Sequence, residues 1–234
     1  KMKKIFLALA LTTSVALATQ AQVYVQGGLN LANITKTKDG QTEKNNLLPS
    51  FNAGILGRLE LVDMFSLESG VLLTGKGSKA ETYFNNSNDY IKTKFNPLYI
   101  EVPLNAVVKI PFDAKGSNGS NFFFHAGPYA AVGIAGKSRQ DSKFGPLTSS
   151  STSNIKFSND DPLTSQQEDA AYDKLKRFDF GLNFGGGVQL GKVILKANYG
   201  VGLTKINSTQ SNNNADDKNK YRTLSFSVGF PLSK

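Results

Sequence analysis

The chain has 234 residues, no cysteine, 27 Lys and Arg against 18 Asp and Glu, and a formal charge of +9. Lack of cysteine excludes a disulfide framework and a thiolate metal site, and cations scattered along the chain argue against nucleic-acid binding, which needs them gathered on one face. The length suits one β-barrel or one to two globular domains.

Residues 1–21 read as an address label. Lys3 and Lys4 lead an apolar run from Ile5 to Ala18, followed by Thr19-Gln20-Ala21, which is the pattern of a secretory signal peptide. The competing spanning helix is disfavoured because Thr12, Thr13 and Ser14 interrupt a run already short of the roughly 20 apolar residues needed to cross a bilayer. Loss of Lys1, Lys3 and Lys4 would lower the charge from +9 to +6. No later apolar stretch is long enough for a membrane helix, but a barrel strand needs only about 9–11 residues and shows lipid its every second side chain.

Eight segments of 22–234 alternate with period two, a strand signal. The first three are 23–33 (Val23, Val25, Leu29 and Leu31 outward), 51–61 (Phe51, Ala53, Ile55, Leu59, Leu61) and 65–76 (Phe65, Leu67, Val71, Leu73). In 97–110, Leu98, Ile100, Val102, Leu104, Ala106, Val108 and Ile110 oppose Tyr99, Glu101, Asn105 and Lys109, and 121–135 sets Phe122, Phe124, Ala126, Ala130, Val132 and Ile134 on one face. In 177–190, Phe178, Phe180, Leu182, Phe184 and Val188 oppose Asp179, Gly181, Asn183, Gly185 and Gly187. The last two are 192–204 (Val193, Leu195, Ala197, Tyr199, Val201, Leu203) and 223–230 (Leu224, Phe226, Val228, Phe230). Pro103 and Pro128 each remove one ladder donor from their segments.

The connections 62–64, 111–120 and 191 are short, whereas 34–50, 77–96, 136–176 and 205–220 are long and hydrophilic. Strict alternation of short and long predicts an all-β, eight-stranded antiparallel up-and-down transmembrane β-barrel with periplasmic turns and external loops. The alternative, a soluble lipocalin-like barrel, would bury the apolar face inward and leave Asp179 and Lys196 to solvent.

Particular segments resemble the PorT-like outer-membrane β-barrel families of Bacteroidota: Gly28-Leu29-Asn30-Leu31 in the first strand, Tyr99-Ile100-Glu101-Val102-Pro103-Leu104 in the fourth, Phe178-Asp179-Phe180-Gly181-Leu182 in the sixth and Tyr199-Gly200-Val201-Gly202-Leu203 in the seventh. The resemblance covers essentially all of 22–234. It implies a bacterial outer-membrane location and, for some relatives, a link to protein secretion.

The inward set Arg58, Glu60, Glu68, Glu101, Lys109, Asp179 and Lys196 mixes both signs, as a narrow lumen requires if its buried charges are to pair. The alternative is an ion or proton path. Eight strands leave room for little beyond side chains, which favours structural pairing. Gly70 through Lys76 almost spells a phosphate-binding loop, but Gly77 stands where Ser or Thr would hold magnesium, and the segment alternates as a strand rather than opening onto a helix. The glycines at 185–187 are expected to make room for bulky lumen neighbours. His125, the only histidine, falls towards the periplasmic end, away from the rim where a surface hydrolase would place its base. Asn159-Asp160-Asp161 and Asp216-Asp217 offer hard oxygen ligands, but exposed acidic loop residues are ordinarily solvated, so no metal, cofactor or catalytic residue is expected.

The leading expectation is therefore a non-enzymatic membrane anchor that contacts something through its external loops, chiefly 136–176, where rigid scaffolds usually carry function. A porin-like small-solute channel is the second reading and a membrane-embedded enzyme the third. Expected partners are outer-membrane lipid, the barrel-insertion machinery and a membrane or secretion protein, with no nucleic acid and a monomeric barrel.

Overall fold

The computed structural model describes residues 21–38, 41–44, 47–84, 88–112, 120–157, 174–206 and 219–232. The signal-peptide reading of 1–21 therefore falls almost wholly outside the described residues, as do both candidate cation clusters. The described strands are β1 (Ala21–Lys38), β2 (Gln41–Lys44), β3 (Leu48–Val62), β4 (Phe65–Gly75), β5 (Ser78–Phe84), β6 (Asp89–Pro111), β7 (Asn121–Phe144), β8 (Leu147–Asn154), β9 (Lys156–Phe157), β10 (Lys174–Leu175), β11 (Phe178–Leu190), β12 (Val193–Gly202) and β13 (Lys220–Pro231).

Eight of these, β1, β3, β4, β6, β7, β11, β12 and β13, pair antiparallel around a closed ring. The ring shuts where β1 meets β13, from Tyr24 opposite Pro231 to Thr35 opposite Lys220. Closure leaves the barrel wall no free edge, the one way a sheet can satisfy its backbone inside hydrocarbon. The period-two alternation decides which side chains face where. Leu29, Ile55, Val71, Ile100, Phe124, Phe180, Tyr199 and Phe226, one from each wall strand, are 39–68 % exposed on the outside. A soluble barrel would have hidden these side chains, so the lipocalin-like reading fails.

Pro103 and Pro128 lie inside β6 and β7 and end neither strand. The β4–β6 register passes from Ser69 opposite Leu104 to Leu72 opposite Glu101, so the ladder lapses at Pro103, and the Ser69 hydroxyl donates to the Pro103 carbonyl at 2.8 Å.

Two of the predicted long loops are largely strand over their described residues. Of 77–96, residues 78–84 form β5 and 89–96 belong to β6; of 136–176, residues 136–144 continue β7 and 147–154 form β8. β6 and β7 reach 23 and 24 residues and stay paired up to Tyr90 opposite Lys143, with β5 alongside β6 and β8 alongside β7. The result is a four-stranded sheet that continues one side of the barrel beyond its rim. In 34–50, likewise, β1 runs on to Lys38 and folds back against β2. These stretches looked like loops because they carry charge and Ser/Thr in place of an apolar face, although Thr, Tyr, Ile and Phe favour strands.

A bulge sets the facing of the extension. Leu98 pairs with Ala135 and Tyr99 with Gly133, leaving Ile134 as the extra residue on β7. Below it the odd-numbered Phe123, His125, Tyr129 and Ala131 are buried, whereas above it the odd-numbered Lys137 and Arg139 are exposed, the side-chain reversal that one inserted residue imposes.

Short turns end one rim, at 63–64 and 191–192, and outer-membrane barrels keep such turns periplasmic. A protease site inserted in the β7–β8 turn at Gly145–Pro146 is expected to be cut on intact cells, and one between Lys115 and Gly119 only after the outer membrane is opened. The opposite pattern of cleavage would invert the barrel.

Candidate functional site: packed lumen and projecting sheet

Two layers of buried ions fill the lumen. In the layer nearer the short turns, Glu68 on β4 accepts from Arg58 on β3 at 2.9 Å and from Lys196 on β12, and Arg58 and Glu68 are fully buried. Tyr24 Oη donates to the same carboxylate at 2.7 Å and Asn105 Nδ2 at 3.2 Å. The Arg58 guanidinium lies 4.6 Å from the Phe123 ring centroid and 5.7 Å from that of Tyr24. An aromatic face replaces part of the water that two of its nitrogens have lost.

The second layer centres on Lys76, whose Nζ is 2.9 Å from Glu101 and 2.8 Å from Asp179. It also lies 4.1 Å from the Tyr129 ring and 5.4 and 5.8 Å from those of Tyr99 and Tyr221. Tyr129 Oη and Thr204 Oγ1 donate to Asp179 at 3.0 and 2.6 Å. Above it, Phe95, Ile155, Leu175 and Ile206 close the lumen with Phe157 packed against them. The first layer carries one anion for two cations and the second one cation for two anions, so together they are neutral.

Amides and hydroxyls occupy the space between. Asn30 Nδ2 donates to Thr74 Oγ1 at 2.9 Å, and Asn52 Nδ2 to Asn30 Oδ1 at 2.7 Å. A separate chain runs from Glu101 through Asn183 (3.3 Å) and Asn198 (3.1 Å) to His125 Nε2, 2.9 Å from Asn198 Oδ1. His125 is buried, and its Nδ1 has no partner among the described residues.

Five of the seven predicted lumen residues, Arg58, Glu68, Glu101, Asp179 and Lys196, thus sit in these two clusters. The other two correct the expectation in part. Lys109 is buried but pairs with Glu60 at the mouth on the short-turn side, where the Glu60 side chain is 62 % exposed. The reason is the place of Glu60 three residues before the β3–β4 turn, where the wall ends. Lys76 was missed as a lumen residue. Its parity matches the inward Glu68 and Thr74, and it also ends the segment that nearly spells a phosphate-binding loop. Gly77, with φ of 128°, lets the chain jog from β4 into β5 directly after it.

The glycines of β11 do make room for lumen rings. Gly181, Gly185 and Gly187 stand opposite Tyr129, His125 and Phe123 of β7, and a Cβ on them would come within 2.5, 2.5 and 2.6 Å of those rings.

Outside the barrel, the projecting sheet carries its own contacts. Lys79 pairs with Glu81 at 2.7 Å and Arg139 with Asp141 at 3.0 Å, while Lys92 lies over the rings of Tyr90 (4.6 Å) and Tyr83 (5.3 Å). Hydrogen bonds from Lys79 and Tyr83 hold the Glu81 carboxyl below the usual carboxylate range, and those from Ser150 and Arg139 do the same for Asp141. Both stay ionised in mildly acidic surroundings.

The family model for the outer membrane protein beta-barrel domain matches residues 18–208. The chain belongs to that family. This places the barrel in a bacterial outer membrane. Solved structures to which the chain is similar include Ail, the attachment invasion locus protein of Yersinia pestis, with 16 % identity, TM-score 0.40, and coverage of 90 % of this chain and 98 % of that one. Neisserial surface protein A shows 13 % identity and TM-score 0.38 over 90 % and 97 %, and OprG of Pseudomonas aeruginosa 9 % and 0.34 over 91 % and 98 %. No curated protein matches the chain.

Removing one member of a buried ion cluster leaves a charge without its counter-ion. Glu68→Gln, which strands both Arg58 and Lys196, is expected to lower barrel stability by about 3–5 kcal/mol, whereas Glu60→Gln at the exposed mouth should cost under about 1 kcal/mol. Urea unfolding of the detergent-folded protein measures both. Equal, small losses would show that the Glu68 cluster carries no special weight.

Proposed function

We propose that the chain is a non-conducting, non-enzymatic anchor of the outer membrane that presents its projecting sheet to a partner. The observation that carries this reading is the filled lumen. Between the two ion layers the polar cavity lined by Gln26, Asn52, Thr74, Asn105, Asn198 and Ser227 holds about 30 Å³, room for about two waters. A solute would have to break both layers, and each is tied to several strands. With the interior committed to packing, the surface left for recognition is the part outside the membrane. There the exposed Phe84, Phe144 and Leu147 stand at the tip of the sheet. The PorT-like character of the strand motifs favours a partner from protein secretion.

In a planar bilayer the purified barrel is expected to show no steady open state, and Lys196→Ala, which loosens the first layer, only brief, small openings. A photo-crosslinking residue at Leu147 should capture a partner in native membranes that the same probe at Leu29, on the lipid-facing belt, does not. Steady, ion-selective wild-type conductance whose selectivity shifts in Lys196→Ala would replace the anchor by a channel.

A further inference from the structure

The pairing register sorts the side chains of the projecting sheet by face, because residues directly opposite in an antiparallel pair point to the same side. Lys79, Lys94, Arg139 and Thr152 form one row across the four strands, Glu81, Lys92, Asp141 and Ser150 the next, and Tyr83, Tyr90, Lys143 and Thr148 the third. Lys137, opposite Asn96, begins the series nearest the barrel. This face thus holds six cations and two anions. The opposite face, from Ser78, Thr93 and Gln140 to Phe84 and Leu147, holds a single charged residue, Asp89, and its carboxylate accepts from the Gly145 amide at 2.7 Å in the turn.

The parity of β6 shows which way the cationic face looks. Even-numbered residues of β6 below the rim, Ile100, Val102 and Leu104, point to lipid, and Lys94 and Lys92 continue that same series upward. On β7 the Ile134 bulge turns Lys137, Arg139 and Lys143 to the same side. The cations therefore stand above the apolar belt on the wall side, not around the mouth of the barrel. Measured from the Leu98–Ala135 pair, Lys137 lies two residues up and Lys143 eight, which is roughly 5 to 20 Å of height for strands tilted by about 35–45°. That is the zone of lipid headgroups. A sheet standing free in water has no reason to gather its cations on one side.

We propose that this wall-side face binds the phosphate groups of the phosphorylated glycolipid that surrounds the barrel in the outer leaflet. Glu81 and Asp141 are already matched by Lys79 and Arg139, whereas Lys92, Lys94, Lys137 and Lys143 make no ion pair among the described residues. Those four lysines are the phosphate-facing groups, with Tyr83 and Tyr90 holding the Lys92 ammonium in place. The proposal does not depend on whether the lumen conducts.

The test uses the full barrel in vesicles of phosphatidylcholine containing either lipid A or the same lipid A with its phosphates removed. Glycolipid retained on the protein after detergent extraction is counted by native mass spectrometry. Wild type is expected to retain the phosphorylated form at least about tenfold over the dephosphorylated one, less so at high salt. The variant Lys92→Gln/Lys94→Gln/Lys137→Gln/Lys143→Gln should lose the preference, while Lys156→Gln/Lys192→Gln/Lys205→Gln, with cations removed elsewhere, should keep it. Unchanged heat-modifiability on gels confirms that each variant is folded. Equal retention of both lipids by wild type, or a preference that survives in the first variant, overturns the proposal. Binding of a soluble sulfated polysaccharide without a lipid preference would assign the face to a soluble polyanion instead.

Discussion

No charge and no backbone amide can be left without a partner at the depth of the hydrocarbon, and the rest of the structure follows from that constraint. It forces the sheet to close, since an open edge would expose a row of unsatisfied groups to lipid, and β1 meeting β13 over twelve paired positions meets the demand. It also forces the lumen charges into clusters. Arg58, Glu68 and Lys196 on one level and Lys76, Glu101 and Asp179 on the other each leave an excess of one sign, and only the pair of layers together is neutral. Tyrosines, asparagines and threonines supply the remaining bonds. Such networks are costly when incomplete, because a buried ion that loses its partner cannot turn to water.

Filling the barrel in this way has a steric requirement that β11 meets. Its glycines at 181, 185 and 187 sit beneath the Tyr129, His125 and Phe123 rings of β7, so bulky groups on one strand occupy volume that the neighbouring strand gives up. The interior is thereby used for cohesion, and in the anchor reading proposed above recognition falls to the sheet beyond the rim. There the constraint is relaxed and charge can be spent on contacts outside the molecule.

Much of this was legible in the sequence. Period-two alternation placed all eight wall strands, because one face had to be apolar for lipid and the other polar or small for the lumen, and five of the seven predicted lumen ions lie in the two buried clusters. The same logic failed where lipid was no longer present. Above the belt, β5 and the upper parts of β6 and β7 mix charged with small polar residues and β8 is almost all Ser and Thr, patterns that hydropathy reads as loop. Glu60 shared the parity of Arg58 but lay too near the turn to be enclosed. Lys76 also shared inward parity, and only the folded ring shows that Glu101 and Asp179, from distant strands, converge on it. The bulge at Ile134, which turns the upper part of β7 around, leaves no mark in composition at all.

The great length of β6 and β7 has a mechanical consequence. Each runs as one strand from the short-turn mouth to the projecting sheet, so a pull on the tip is carried straight into the barrel wall. Force applied along the strands loads the many hydrogen bonds flanking them in shear and all at once, rather than peeling them one by one as at the end of a floppy loop. A sheet mounted in this way can bear load applied at its tip, with the membrane-embedded ring acting as its footing.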